Sequence, residues 1–155
     1  MKLIPRASGW YGATFNKFNQ FVEDLAQKVH NFTSGQDVLK VMLSNVAPVA
    51  GNSVKADLTE ISAGNGYTAG GTAVGSTDGQ QTSGTLKLTG NDVVFTASGG
   101  SIGPFRYVIL YNDTPTSPAD PLIGWWDYGS AITLLDGETL TVDFDAGAGI
   151  LTVGP

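Results

Sequence analysis

The chain of 155 residues has no cysteine. Disulfides, thiolate catalysis and cysteine-based zinc sites are therefore closed to it. It has one histidine, His30. A single imidazole without cysteines or converging carboxylates builds no zinc site. A Ser-His-Asp triad would have to use this residue, and no G-x-S-x-G elbow supplies its nucleophile. No run of about 18 apolar residues occurs, so no membrane-spanning helix is expected. The opening MKLIPRASGW is too short and too polar to read as a secretion signal. Charge is scarce and uneven. Residues 1–105 carry seven Lys/Arg and seven Asp/Glu, whereas 106–155 carry one Arg and seven acids, so the net −6 falls in the last third. Nucleic-acid binding needs Lys and Arg to displace counterions, and this acidic third argues against it. The plain role of the acids is to keep the surface solvated.

Glycine, by contrast, is abundant, and GNGYTAGG (64–71) holds four in eight positions. A phosphate loop of Walker type needs Gly-x4-Gly-Lys-Ser/Thr between a strand and a helix. This stretch has no lysine and runs on into TDGQQTSG, which has no helical period. The glycines are read instead as left-handed turn positions around Tyr67. Residues 63–84 are expected to form a long, mobile excursion from a sheet.

Apolar periodicity divides the chain at about residue 35, into an N-terminal arm with a helix (1–35) and a β domain (36–155). Phe15, Phe18, Val22, Leu25, Val29 and Phe32 are spaced by 3, 4, 3, 4 and 3. That spacing predicts an amphipathic helix of about five turns, capped by Thr14 and stopped at Ser34-Gly35. Its Phe-rich stripe needs cover, from its own domain or from a neighbouring subunit. His30 is then a partly exposed residue near the helix C-terminus.

From residue 38 the period becomes two. Strands are expected at 38–43, 54–62, 85–90, 92–97, 106–111, 121–129, 131–135, 139–144 and 149–153. RYVILY (106–111) is nearly all apolar and reads as a central strand covered on both faces. TGND (89–92) and Asp136-Gly137 read as hairpin turns, and DAGAG (145–149) as the link between the last two strands. NDTPTSPADP (112–121) is a stiff, exposed loop. No tandem repeat is visible. The fold expected is mainly β: an antiparallel, jelly-roll-like β-sandwich preceded by the N-terminal helix or arm.

Few residues suggest chemistry. Asp136, Glu138, Asp143 and Asp145 concentrate carboxylates, and a calcium site is conceivable, but no EF-hand pattern is met and solvent-facing charge is the default. No metal, cofactor or catalytic residue is assigned. Trp125 and Trp126 are adjacent on a strand and so point to opposite faces. One is expected in the core. The other is open to packing, to a protein partner or to a sugar ring. Trp10 and Tyr11 suggest docking of the N-terminal segment.

Four stretches carry a resemblance: SGQDVLKVMLSNVAP, DLTEISAGNGYTAGG, DVVFTASGGSIGPFRYVILYNDTPTSPADPLIGWWDYG and GETLTVDFDAGAGILTV. In this order they resemble small structural proteins from virions of tailed bacteriophages, over about residues 35–154. The most specific pieces are Gly66-Tyr67-Thr68-Ala69-Gly70-Gly71 and the set Arg106-Tyr107, Tyr111, Leu122-Ile123-Gly124, Asp127 and Gly129. The resemblance implies a β-rich virion component without enzymatic activity. The leading expectation is a capsid decoration or cement protein. It would bind the major capsid protein and other copies of itself, with no nucleic-acid or membrane partner. Its docking residues would be Trp10, Tyr11, Phe15, Phe18, Val22, Leu25, Trp125 and Trp126. The rivals are a neck, tail or fibre-base component and, from another class, a carbohydrate-binding module. On this reading, a chain lacking residues 1–34 should keep its sheet and lose particle binding.

Overall fold

A computed structural model describes residues 2–5 and 11–154, with side chains from Ala13 onward. Trp10 lies outside the described residues, and Tyr11 is described by its backbone only. The fold is mainly β, and every strand pairing is antiparallel. One sheet has the order β2 (Tyr11–Gly12), β1 (Lys2–Pro5), β11 (Thr139–Asp143), β8 (Val93–Thr96). A second runs β3 (Phe15–Lys17), β10 (Leu122–Leu134), β9 (Ile102–Asn112), β4 (Leu39–Ser44), β5 (Thr72–Ala73). A third runs β12 (Leu151–Val153), β7 (Thr85–Thr89), β6 (Asp78–Thr82). These sheets stand where a jelly roll would have two four-stranded ones.

The long hairpin β9–β10 is the spine. Val108 and Leu110 of β9 and Ile123 and Trp126 of β10 point into the main core. There they meet Val93, Phe95, Leu140 and Val142 of the first sheet and Leu88 and Leu151 of the third. Ile109, Tyr111 and Leu122 point the other way and join Met42 and Phe18 in a smaller core. RYVILY is thus a central strand covered on both faces, as its composition requires. The cover over the smaller core is the segment after β4, pinned by Leu122 N–H to the Ser53 carbonyl and Asn19 N–H to the Ala50 carbonyl, both at 2.9 Å.

The strand expected at 54–62 does not form. The Asp57 carboxylate accepts the N–H groups of Ser53 and Val54, at 2.8 and 3.2 Å, and winds Lys55–Asp57 into a 3-10 turn. Two other expectations also change. The strands on either side of TGND and of Asp136-Gly137 enter different sheets, so neither is a hairpin. Gly137 still turns the chain, with φ +83°. A tight hairpin forms instead at Ser83-Gly84, between Thr82 and Thr85, with φ +51° and +85° at the turn.

The N-terminal helix is the largest correction. Residues 15–17 are strand, paired to Trp126, Trp125 and Gly124. The helix α1 covers only Gln20–Ala26. Lys28, with φ +62°, ends it: Lys28 N–H reaches the Leu25 carbonyl and Val29 N–H the Asp24 carbonyl. That is the Schellman arrangement, built on a lysine where glycine is usual. Phe15 and Phe18 therefore do not share a face. Phe15 meets Trp126 (ring centres 5.2 Å) on the main-core side, and Phe18 meets Trp125 (4.5 Å) on the other. Phe21, beside the predicted stripe, is buried, while Val22, within it, is exposed. The described part of 1–35 is woven into the first two sheets through β1, β2 and β3 and packs on its own chain.

Two outcomes follow. Phe18→Ala should lower stability by about 3–5 kcal/mol in urea unfolding, whereas Val22→Ala should stay within about 0.5 kcal/mol. A chain of residues 35–155 should show no cooperative thermal transition, because it loses β1, β3 and the rings of Phe18, Phe21 and Phe32.

Candidate functional site

The glycine-rich stretch is anchored to the fold at the buried Tyr67 and Gly70. Gly64 and Tyr67 exchange both backbone hydrogen bonds, at 2.8 and 2.9 Å, around Asn65-Gly66, whose φ angles are +52° and +95°. This tight turn delivers the Tyr67 ring into the core against Phe95. The Tyr67 hydroxyl donates to Glu60 Oε1 at 2.7 Å and accepts the Leu43 N–H at 3.1 Å. The same Glu60 oxygen accepts the Gly70 N–H at 2.6 Å, and the Gly70 carbonyl accepts the Tyr111 hydroxyl at 2.8 Å. Burial, with the Glu60 hydrogen bond and charge beside it, pushes the Tyr67 phenol above its ordinary range, so it serves as a fixed donor. At Gly71 the backbone lies so close to β4 that a Cβ would sit 1.9 Å from the Val41 carbonyl oxygen. The expected excursion is thus anchored at Tyr67, at Gly70-Gly71 and by β5 pairing with β4. Turn geometry and the close approach to β4 account for its glycines at 64, 66, 70 and 71.

Carboxylates elsewhere are also used locally. Asp127 takes a two-pronged contact from Arg106 at 2.7 and 2.8 Å, which holds its carboxyl below the usual range. It also accepts the Gly129 N–H, where β10 departs from regular register. Asp145 lies past the end of β11 and accepts the N–H groups of Ala148 and Gly147, which lower its pKa. Asp92, beside it, accepts the Phe144 N–H. A cleft lies over Asp92, Asp143 and Asp145. Among the described residues no three His, Cys, Asp or Glu side chains converge as metal ligands.

The predicted docking residues separate. Phe18 and Trp126, 0% and 1% exposed, are closed to any partner in this fold. Trp126 faces the main core from β10, and Phe18 follows the strand Phe15–Lys17 into the smaller one. Trp125 is half-buried under Phe18. Phe15 and Leu25 are half-buried, and Val22 is 53% exposed. These last three come together with Leu151 and Val153 of β12 around an apolar groove of about 220 Å³. The groove runs between α1 and β12, which among the described residues carries a neighbour on one edge only. Sequence reasoning missed the β12 half of it, because Leu151 and Val153 read only as a strand. His30 is not on the helix: it follows Lys28 and is buried, which corrects the expected exposed position.

Comparison with family models, with curated proteins and with solved structures finds no match to this chain.

The glycine assignment predicts a contrast. Gly71→Ala, at φ +74° and against Val41, should cost more than about 1 kcal/mol in denaturant unfolding. Gly51→Ala, with open space around it, should be neutral within about 0.5 kcal/mol.

Proposed function

We propose that this chain is a non-enzymatic structural protein of a tailed-bacteriophage virion, a decoration or cement protein on the outer head shell. One observation carries the reading. The residues that bear the resemblance spend their polar groups on the fold. Tyr67, Gly70 and Tyr111 belong to the network around Glu60, and Arg106, Asp127 and Gly129 tie β9 to the irregular part of β10. A pattern that specifies a scaffold suits a protein whose task is to hold a shape against many copies of another.

The contact surface we assign is the groove between α1 and β12, with Val22 as its most exposed large hydrophobic. The partner is the major capsid protein, and further copies of this chain bind alongside. A shallow groove suffices there, since symmetric repetition multiplies weak contacts. The acidic last third faces solvent or basic patches of the shell. The place of action is the virion, assembled in the bacterial cytoplasm. The carbohydrate-module reading is weakened by the two tryptophans it would use, one buried and one half-covered. The large hydrophobic side chains exposed among the described residues are Val and Leu.

Purified protein should bind emptied, expanded heads and not tails. Val22→Asp should weaken that binding at least about tenfold, equivalent to roughly 1.4 kcal/mol, with thermal stability unchanged. Binding to tails alone, at about six or twelve copies per particle, would move the protein to the neck or tail. Glycan binding lost in Trp125→Ala would make it a carbohydrate module.

A further inference from the structure

The segment from α1 to β4 is tied to β6 by the Gly79 N–H to the Phe32 carbonyl at 2.7 Å, and near β9 by the Asp113 N–H to the Val38 carbonyl at 2.9 Å. Between these bonds lies one buried polar cluster, and it contains the only histidine. The His30 side chain is fully buried, with Phe32 stacked on its ring (5.5 Å, 17°) and Phe21 tilted against it (5.3 Å). Asn112, at the end of β9, fixes its tautomer. The Asn112 carbonyl oxygen accepts the Thr114 N–H at 3.2 Å, so its amide NH2 faces the other way. That NH2 donates to Asp37 Oδ2 at 2.5 Å and points at His30 Nδ1 at 3.1 Å. Nδ1 is therefore an acceptor, and the ring proton sits on Nε2. Nε2 faces Asp24 Oδ2 across 3.9 Å, beyond hydrogen-bond reach, and neither buried atom has a partner.

We propose that residues 20–38 form a strap latched by His30 onto the end of β9, and that acid releases it. A second proton on the ring must go to Nδ1, where it meets the Asn112 NH2, donor against donor. The closed strap thus resists protonation by geometry as well as by burial. The charges that reach the ring are Asp24 from α1 and Asp37 from the approach to β4. Both favour the cation, but neither hydrogen-bonds it. From β9 comes only neutral Asn112, and the neighbouring Lys40 and Asp113 are paired with each other at 2.8 Å. Desolvation outweighs the two carboxylates and lowers the His30 pKa below 6.5. A released strap has the ordinary value. The latch is therefore complete above pH 6.5 and weakens as pH falls towards the closed-state pKa, because the open form then binds more protons. Release uncovers Phe21 and Phe32, aromatic surface that the closed form hides. The inference does not depend on where in a particle the protein acts.

The full chain provides the test. With one histidine, its ring signals in proton NMR are unambiguous, and their midpoint should fall below 6.5. Amide-exchange protection of residues 21–38, relative to β9, should drop by up to about tenfold per pH unit in that range. In His30→Gln this ratio should no longer depend on pH. A midpoint at or above 6.5, or a strap whose protection tracks β9 at every pH, overturns the latch. So does an unchanged pH response in His30→Gln. The NMR midpoint decides the matter if that variant does not fold.

Discussion

Residues 107–112 of β9 and 122–124 of β10 are dry on both faces, and the rest of the molecule is arranged to keep them so. A strand apolar on both sides cannot be served by one opposing sheet. On one face the need is met by the first and third sheets. On the other no further sheet exists among the described residues, and the cover is improvised from Phe18, Leu58 and the irregular segment after β4. Laying an irregular segment over a core requires partners for its backbone groups. The Ser53 and Ala50 carbonyls accept the Leu122 and Asn19 N–H groups, and Asp57 accepts those of Ser53 and Val54. The N-terminal residues are drawn in by the same demand, since β3 pairs with β10 and so places Phe15 and Phe18 on its two faces.

A second economy concerns polar groups. Glu60 serves a phenol and an amide, Asp127 a guanidinium and an amide, and Asp145 two amides. Each carboxylate thereby closes a turn or joins two strands. Groups committed in this way are poorly placed to act on a substrate, because moving them would open the fold. The exception is His30 with Asp24, a buried pair whose facing atoms remain unpartnered. That pair sits where the strap meets β9, which is why titration there bears on attachment rather than on chemistry.

For the proposed role, holding a shape against many copies of a shell protein, this division of labour is useful. Rigidity comes from the two-faced hairpin and the network around Glu60. In the proposed docking, contact is left to aliphatic residues of α1 and of the edge strand β12, of which Val22 and Val153 are the most open in the groove.

The sequence by itself determined most of the strands, the central place of RYVILY and the turn role of the glycines. Each follows from a local rule: alternation, a continuous apolar run, or a φ that only some residues accept. It also separated Trp125 from Trp126, since neighbours on a strand diverge. Which strands lie side by side was a different matter. Asp136-Gly137 turns the chain, but neither it nor TGND closes the expected hairpin, because pairing is set by which apolar faces meet. The helix is shorter than its stripe for a related reason. Spacings of three and four fit a helical stripe, but residues 15–17 pair with β10 instead, and Phe15 and Phe18 pack on its opposite faces. Lys28, which ends α1, carries no glycine signal. His30 became a buried latch only when β9 brought Asn112 to it, a contact across 82 residues that no local pattern encodes.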